Sequence, residues 1–129
     1  MNSESQSEAE ILAFVRATIR SISALELVIY LRGQRQRGFS IGELVRELRS
    51  SELAIGQALE QLMRVDLVMG GSESGYRYQQ SSKQLDALCQ QLEIEYARKP
   101  VKVIGAILEA PDEKLRIFAD AFRLSGKKE

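Results

Sequence analysis

Residues 40–63, SIGELVRELRSSELAIGQALEQLM, hold two helical patterns set almost end to end. Ser40 stands three residues before Glu43, the spacing of a capping box, and Leu44, Val45 and Leu48 continue a short helix behind it. Ser50 and Ser51 interrupt that helix. A second one follows, with Ile55, Leu59 and Leu62 spaced four and three apart and turned inward. On one side of this pair lies a segment in which Leu25, Leu27, Val28, Ile29 and Leu31 are apolar nearly all round, the pattern of a central helix. Ser23 with Glu26 gives it a capping signal, and Gly33 stands where it should end. On the other side, DLVM and YRYQ read as two strands joined by the loop GGSESG, a hairpin signal. The order is helix, short helix, turn, helix, hairpin.

The chain has 129 residues, enough for one domain with a real core. Residues 1–6 are expected to be disordered. Ser7 with Glu10 predicts a helix over 7–20, with Ile11, Phe14, Val15 and Ile19 on one face. After the hairpin, Ser81 or Ser82 opens another helix, whose inner face carries Leu85, Leu88, Cys89, Leu92 and Tyr96. Pro100 and Pro111 each suit the first turn of a helix, which places these at about 101–110 and 112–124. Gly126 stops the last one, and 126–129 form a fraying tail. The expected fold class is therefore mainly α with a small β-hairpin wing (α+β). It is a winged helix-turn-helix over 21–79 with extra N- and C-terminal helices, those of 80–125 being assigned to dimerisation.

Composition narrows the function. Lysine and arginine balance aspartate and glutamate at 18 each, so whole-molecule charge draws the chain to neither DNA nor membranes. No apolar run approaches the ~20 residues needed to span a bilayer. The polar, acidic start MNSESQSEAE is wrong for a signal peptide, and a lone Cys89 suits a reducing cytoplasm. Histidine is absent, which removes the commonest general base and metal ligand. GGSESG lacks the Lys-Ser/Thr ending of a phosphate loop and reads as a wing tip. Cys89, on an apolar helix face, reads as a small core residue. Glu93 and Glu95, two apart, do not share a helical face. Asp112 and Glu113 fall in a first helical turn, where they complement the helix dipole. Tyr76 and Tyr78 alternate onto one face of a strand and read as packing of the wing on the core. No catalytic residue, metal ligand or cofactor is expected, and the chain does not read as an enzyme.

The segment FSIGELVRELRSSELAIGQALEQLMRVDLV resembles the winged helix-turn-helix of bacterial MarR-like regulators. The likeness rests on Ile41, Leu44, Leu48, Ile55, Leu59, Leu62 and Leu67 and covers about residues 21–79. It implies that Leu44 packs the second helix, that Ser51 caps the recognition helix, and that Ile55 and Leu59 lock that helix to the core. Asp66 stands where the family often has glycine, which puts the turn into the wing in question. The resemblance also implies a recognition helix in the major groove with the wing on the flanking backbone, and a two-fold dimer built by the terminal helices.

That reading raises a difficulty. The helix from Ser51 to Met63 contains Glu52 and Glu60 but no lysine or arginine, whereas phosphate affinity comes mainly from those residues. The base-reading candidates are Ser51, Glu52, Leu53, Gly56 and Gln57, with Glu60 on the same exposed face. Gln57 suits adenine and Glu52 suits the cytosine amino group. Charge would have to come from outside: Arg32, Arg35 and Arg37 ahead of the motif, Arg46 and Arg49 on one face of the second helix, and Arg77 on the second wing strand. The phosphate-contact candidates are thus Arg35, Arg37, Arg46, Arg49 and Arg77, set against a solvated surface with local ion pairs such as Arg46 with Glu43. The expectation is a cytoplasmic DNA-binding transcriptional regulator whose partners are double-stranded DNA and a second copy of itself, with no membrane. The alternative is a winged-helix protein-interaction module. Ile11, Phe14, Val15, Leu88, Leu92, Ile104, Ile107, Leu108, Ile117, Phe118 and Phe122 together exceed what one small core requires. This favours a dimer over helices that simply fold back on the domain.

Overall fold

A computed structural model describes residues 3–79 and 82–109. In chain order the elements are α1 Ser3–Thr18, α2 Ile22–Gly33, α3 Ile41–Leu48, α4 Glu52–Arg64, β1 Val68–Gly71, β2 Gly75–Tyr78, α5 Lys83–Arg98 and α6 Pro100–Glu109. The fold is mainly α with one two-stranded antiparallel hairpin. It has the element order of a winged helix-turn-helix, extended by helices at both ends.

The helix starts show how far capping chemistry is readable. At α3 the reciprocal box is complete: the Glu43 amide donates to Ser40 Oγ at 3.1 Å and the Ser40 amide to Glu43 Oε1 at 2.9 Å. Ser51 caps α4 and Ser82 caps α5, each accepting from the amide three residues on. Two expectations need correction. The cap of α2 is Ser21, whose Oγ accepts from the Ala24 amide at 3.0 Å; Ser21 has extended backbone angles while Ser23 lies inside the first turn. Glu26 gives Ser23 the spacing of a capping box, but the cap lies two residues earlier. And α1 begins at Ser3, so residues 3–6 are helical rather than disordered, and Ser7 and Glu10 lie within the helix rather than at its cap. The expected helix at 112–124 and the tail at 126–129 lie outside the described residues.

Helix α2 is the hub, packed against α4, α3 and β2, with Ala24, Leu25, Leu27, Val28 and Leu31 buried. Ile55, Ala58, Leu59 and Leu62 supply the inner face of α4. At about 1.5–3 kcal/mol for each large apolar side chain fully buried, this shared interior is what holds α4 in place. Helices α1, α5 and α6 pack on one another, and Ile11, Phe14, Val15, Leu92, Val103, Ala106 and Ile107 belong to the same core cluster. Much of the apolar surface credited to a dimer is therefore consumed within the chain. At the α5–α6 junction, Lys99 and Lys102 reach Glu8 at 3.2 and 2.7 Å, and their ammonium groups hold the Glu8 carboxyl below its usual range. Among the described residues no helix is long and apolar enough to cross a membrane.

The hairpin pairs Val68 with Tyr78 and Met69 with Arg77. Val68 and Tyr78 are buried while Met69 and Arg77 face out, so the period of two sorts core from surface. Gly70 and Gly75 have positive φ, and a Cβ on Gly70 would collide with the Gly75 carbonyl oxygen, so this tight wing requires glycine there. Phe39 adds a third rung, exchanging backbone hydrogen bonds of 2.8 Å with Tyr76 in both directions. Asp66, in the place where the resemblance leads one to expect glycine, adopts the left-handed conformation with φ 63°. Aspartate tolerates that region better than most residues, so the turn into the wing is kept without glycine.

Candidate nucleic-acid interface

The connection between α3 and α4 is three residues long. Arg49 closes α3 in the left-handed region, φ 52° and ψ 52°, with its amide on the Val45 carbonyl. Ser50 donates to the same carbonyl at 3.1 Å, and Ser51 then caps α4. A left-handed end to a helix is normally glycine. Holding arginine there costs of order 1 kcal/mol, and it leaves a long cationic side chain exposed at the entry to α4.

The outer face of α4 carries Glu52, Leu53, Gln57 and Glu60, all exposed. Leu53 is 71 % exposed, an apolar side chain with nothing covering it. Ser51 Oγ is engaged by the Ala54 amide but its hydroxyl hydrogen remains available to donate outward. Gly56 is the odd member. A Cβ there would meet nothing within 4 Å, so packing does not demand glycine, which costs a helix interior about 0.5–1 kcal/mol against alanine. The result is a shallow notch in the middle of the exposed face, beside Leu53 and Gln57.

The arginines divide into two sets. Arg32, 11 % exposed, donates to Asp86 at 3.3 Å and to Glu93 at 2.6 Å. Arg35 donates to Asp86 at 3.0 Å and to the Arg32 carbonyl at 3.1 Å, and lies over the Tyr78 ring. Arg37 pairs with Glu43 at 3.1 Å, donates to the Gly38 carbonyl at 2.9 Å, and stacks on Phe39. Arg35 and Arg37, expected at phosphates, are thus turned to partners within the chain. The ion pair expected between Glu43 and Arg46 is replaced by the one with Arg37, which holds the Glu43 carboxyl below its usual range. Arg46 on α3, Arg49 in the turn and Arg77 on β2 are exposed. Among the described residues, none of these three has an ion-pair partner. Arg64, at the far end of α4, lies 3.8 Å from Glu60 one turn back.

The network around Arg32 links residues far apart in the sequence. Tyr78 Oη donates to Asp86 Oδ1 at 2.7 Å, so one carboxylate on α5 gathers the wing strand β2, Arg32 from the end of α2 and Arg35 from the loop after it. The Tyr78 hydrogen bond and the two guanidinium groups hold Asp86 below its ordinary value. Burial, and then that same bond, push the Tyr78 phenol up. Cys89 sits against this cluster, 2 % exposed, and burial raises its thiol. Glu93, two residues from the buried Glu95, is drawn to Arg32. No short-range spacing announces these pairs, because 54 and 61 residues separate Arg32 from Asp86 and Glu93. Comparison with known protein families, with curated proteins and with solved structures finds no match to this chain.

Proposed function

We propose that the chain is a non-catalytic, cytoplasmic, dimeric DNA-binding transcriptional regulator, akin to the MarR-like proteins its helix-turn-helix resembles. In this reading α4 enters the major groove and the wing lies on the adjacent backbone. The observation that carries it is the triplet Arg46, Arg49 and Arg77, exposed and without an internal ion-pair partner among the described residues. Two of them precede α4 and one lies on the hairpin that follows it. A recognition helix bearing Glu52 and Glu60 then needs no cations of its own, because the phosphates are held from either side. Two local departures from stability on the same surface support this use. Arginine rather than glycine closes α3, and glycine rather than alanine sits at 56, where a close approach of another molecule would use the notch. Gln57 reads adenine and Glu52 accepts from cytosine, while Leu53 meets a thymine methyl. As a homodimer the protein would address two half-sites. Fluorescence anisotropy with a labelled duplex from its own upstream region, at two salt concentrations, tests the reading. Binding should weaken steeply with salt; no salt-dependent binding overturns it. Sedimentation at micromolar concentration tests the dimer, and a monomer sinks that part alone.

A second reading is favoured by Leu53 itself. An apolar side chain 71 % exposed beside Glu52 and Glu60 also suits a protein partner, with α4 as an interaction surface. Glu52→Lys separates the two. On the DNA reading it raises non-specific affinity by adding positive charge beside the groove. On the protein-partner reading it disrupts the complex and leaves DNA irrelevant.

A further inference from the structure

Helices α1 and α5 pack on one another, and part of the seam between them opens into a cavity of about 450 Å³. Glu10, Ala13 and Phe14 line it from α1, at i, i+3 and i+4. Gln84, Ala87, Leu88 and Gln91 line it from α5, at i, i+3, i+4 and i+7. Each set is one face of its helix. The deeper part is apolar, with Ile11 and Phe14 buried and Leu88 half-buried. Ala13 and Ala87 are exposed, and their methyl groups are too short to fill the space between the helices. Two residues before Glu10, the ion pairs of Glu8 with Lys99 and Lys102 tie α1 to the α5–α6 junction.

The size and lining are those of a small-molecule site. Such sites run to roughly 300–1,000 Å³, mostly apolar, with a few polar groups that fix orientation. At the ~30 Å³ that one water takes in the liquid, the space holds about a dozen non-hydrogen atoms. Charge then selects the ligand. Glu10 is the only charged residue of the lining. Among the described residues it has no ion-pair partner, whereas Glu8 takes two lysines. Gln84 and Gln91 carry amide oxygens that accept from an ammonium group. A carboxylate ligand would meet repulsion at Glu10 and find no cation in the lining.

We propose that the groove between α1 and α5 is a binding site for a small organic cation, its apolar body on Phe14 and Leu88 and its ammonium group at Glu10. The inference does not depend on DNA binding.

Three probes of nearly equal size test it on the full-length protein: 4-phenylbutylamine, 4-phenylbutanol and 4-phenylbutyrate, each titrated into isotope-labelled protein and followed by amide chemical shifts. The amine should bind with a millimolar or tighter Kd, shifting amides of 10–14 and 84–91 and leaving α4 unmoved. An exposed ion pair changes affinity by up to about fivefold, so the amine should exceed the alcohol by two- to fivefold and the carboxylate by more. Glu10→Gln should bring the three within twofold of one another. Ala87→Phe fills the groove and should abolish binding with the amide spectrum of the remaining fold retained; Ala13→Phe, from the facing helix, makes the same test where Ala87→Phe does not fold. No binding of the amine, shifts scattered over the surface, equal affinity for the three probes, or a preference that survives Glu10→Gln would each overturn the proposal. So would binding that weakens as the protein is concentrated, which would give the groove to a second copy of the chain.

Discussion

Arg32, Arg35 and Arg37 resemble Arg46, Arg49 and Arg77 in every respect a sequence can show: the residue type, the polar surroundings, the proximity to the helix-turn-helix. In the folded chain they do opposite things. The first set is bound to Asp86, Glu93 and Glu43 and lies over Tyr78 and Phe39. The second set has no carboxylate within reach among the described residues and faces out. Arg32 and Arg35 join the end of α2 and the loop after it to Asp86 on α5, which also accepts from Tyr78 on the wing strand, while Arg37 ties that loop to Glu43 on α3. The second set makes no such joint among the described residues. Scattered arginines are therefore a poor guide to a binding surface until the pairing of each is known, because an arginine whose guanidinium is occupied has little left for a phosphate.

The contrast can be broken from beneath. Leu59 is 3 % exposed on the inner side of α4, and Leu59→Ala should cost about 2–5 kcal/mol through the lost side chain and the cavity it leaves. A denaturant titration with no loss would mean that the outer face is not supported by this core.

The two sets should also differ in stability. Arg32→Ala removes a largely buried guanidinium from the half-buried Asp86 and Glu93 and should cost about 1–2 kcal/mol. Arg49→Ala and Arg77→Ala should stay within about 0.5 kcal/mol of the parent. Equal melting shifts would erase the distinction. On the proposed DNA-binding reading the order should reverse: Arg49→Ala and Arg77→Ala should each reduce the salt slope by roughly one unit, with affinity falling for all sequences alike.

Acid sharpens the same contrast. Asp86 lies below its ordinary value of 3.8 because Tyr78 and the two arginines favour its charged form. A depressed carboxyl contributes stability in full above its unfolded value, and that stability is lost as pH falls through the lower folded value. Stability should thus decline as pH drops below about 4. Asp86→Asn should be less stable at neutral pH and should flatten that decline, measured by urea midpoints from pH 6 to 2.5. An unchanged pH profile would remove Asp86 from the account.

The smallest effect has the most diagnostic sign. Gly56→Ala fills open space on α4 and should stabilise the protein by about 0.5–1 kcal/mol, yet weaken DNA binding if the notch admits the groove edge. A more stable variant with unchanged affinity would leave the glycine without a functional reason.

Much of this was legible along the chain. The box at Ser40 and Glu43, the inward stripe of Ile55, Leu59 and Leu62, and the glycine-rich hairpin all depend on contacts within a few residues and follow from spacing, while the cap at Ser51 follows from the family resemblance. The exposed members of α4 follow from spacing as well. The caps that went astray did so by local ambiguity: Ser21 and Ser23 both stand before the apolar run of α2, and only backbone geometry selects between them. Ser7 and Glu10 had the spacing of a box, but α1 runs through them.

Sequence by itself determined the order of elements and which side of each helix is apolar, because those follow from periods of 3.6 and 2 and from hydrogen bonds that close over three or four residues. Tertiary structure alone decided what the charges do. Asp86 lies far from Arg32 along the chain, and whether an arginine meets it depends on how α2, β2 and α5 come together. It also decided that Ile11, Phe14, Val15, Leu92 and Ile107 are interior to one chain while Val101 and Leu108 stay outside. Apolar periodicity gives a helix a face to bury, and the neighbour that buries it is chosen only by packing.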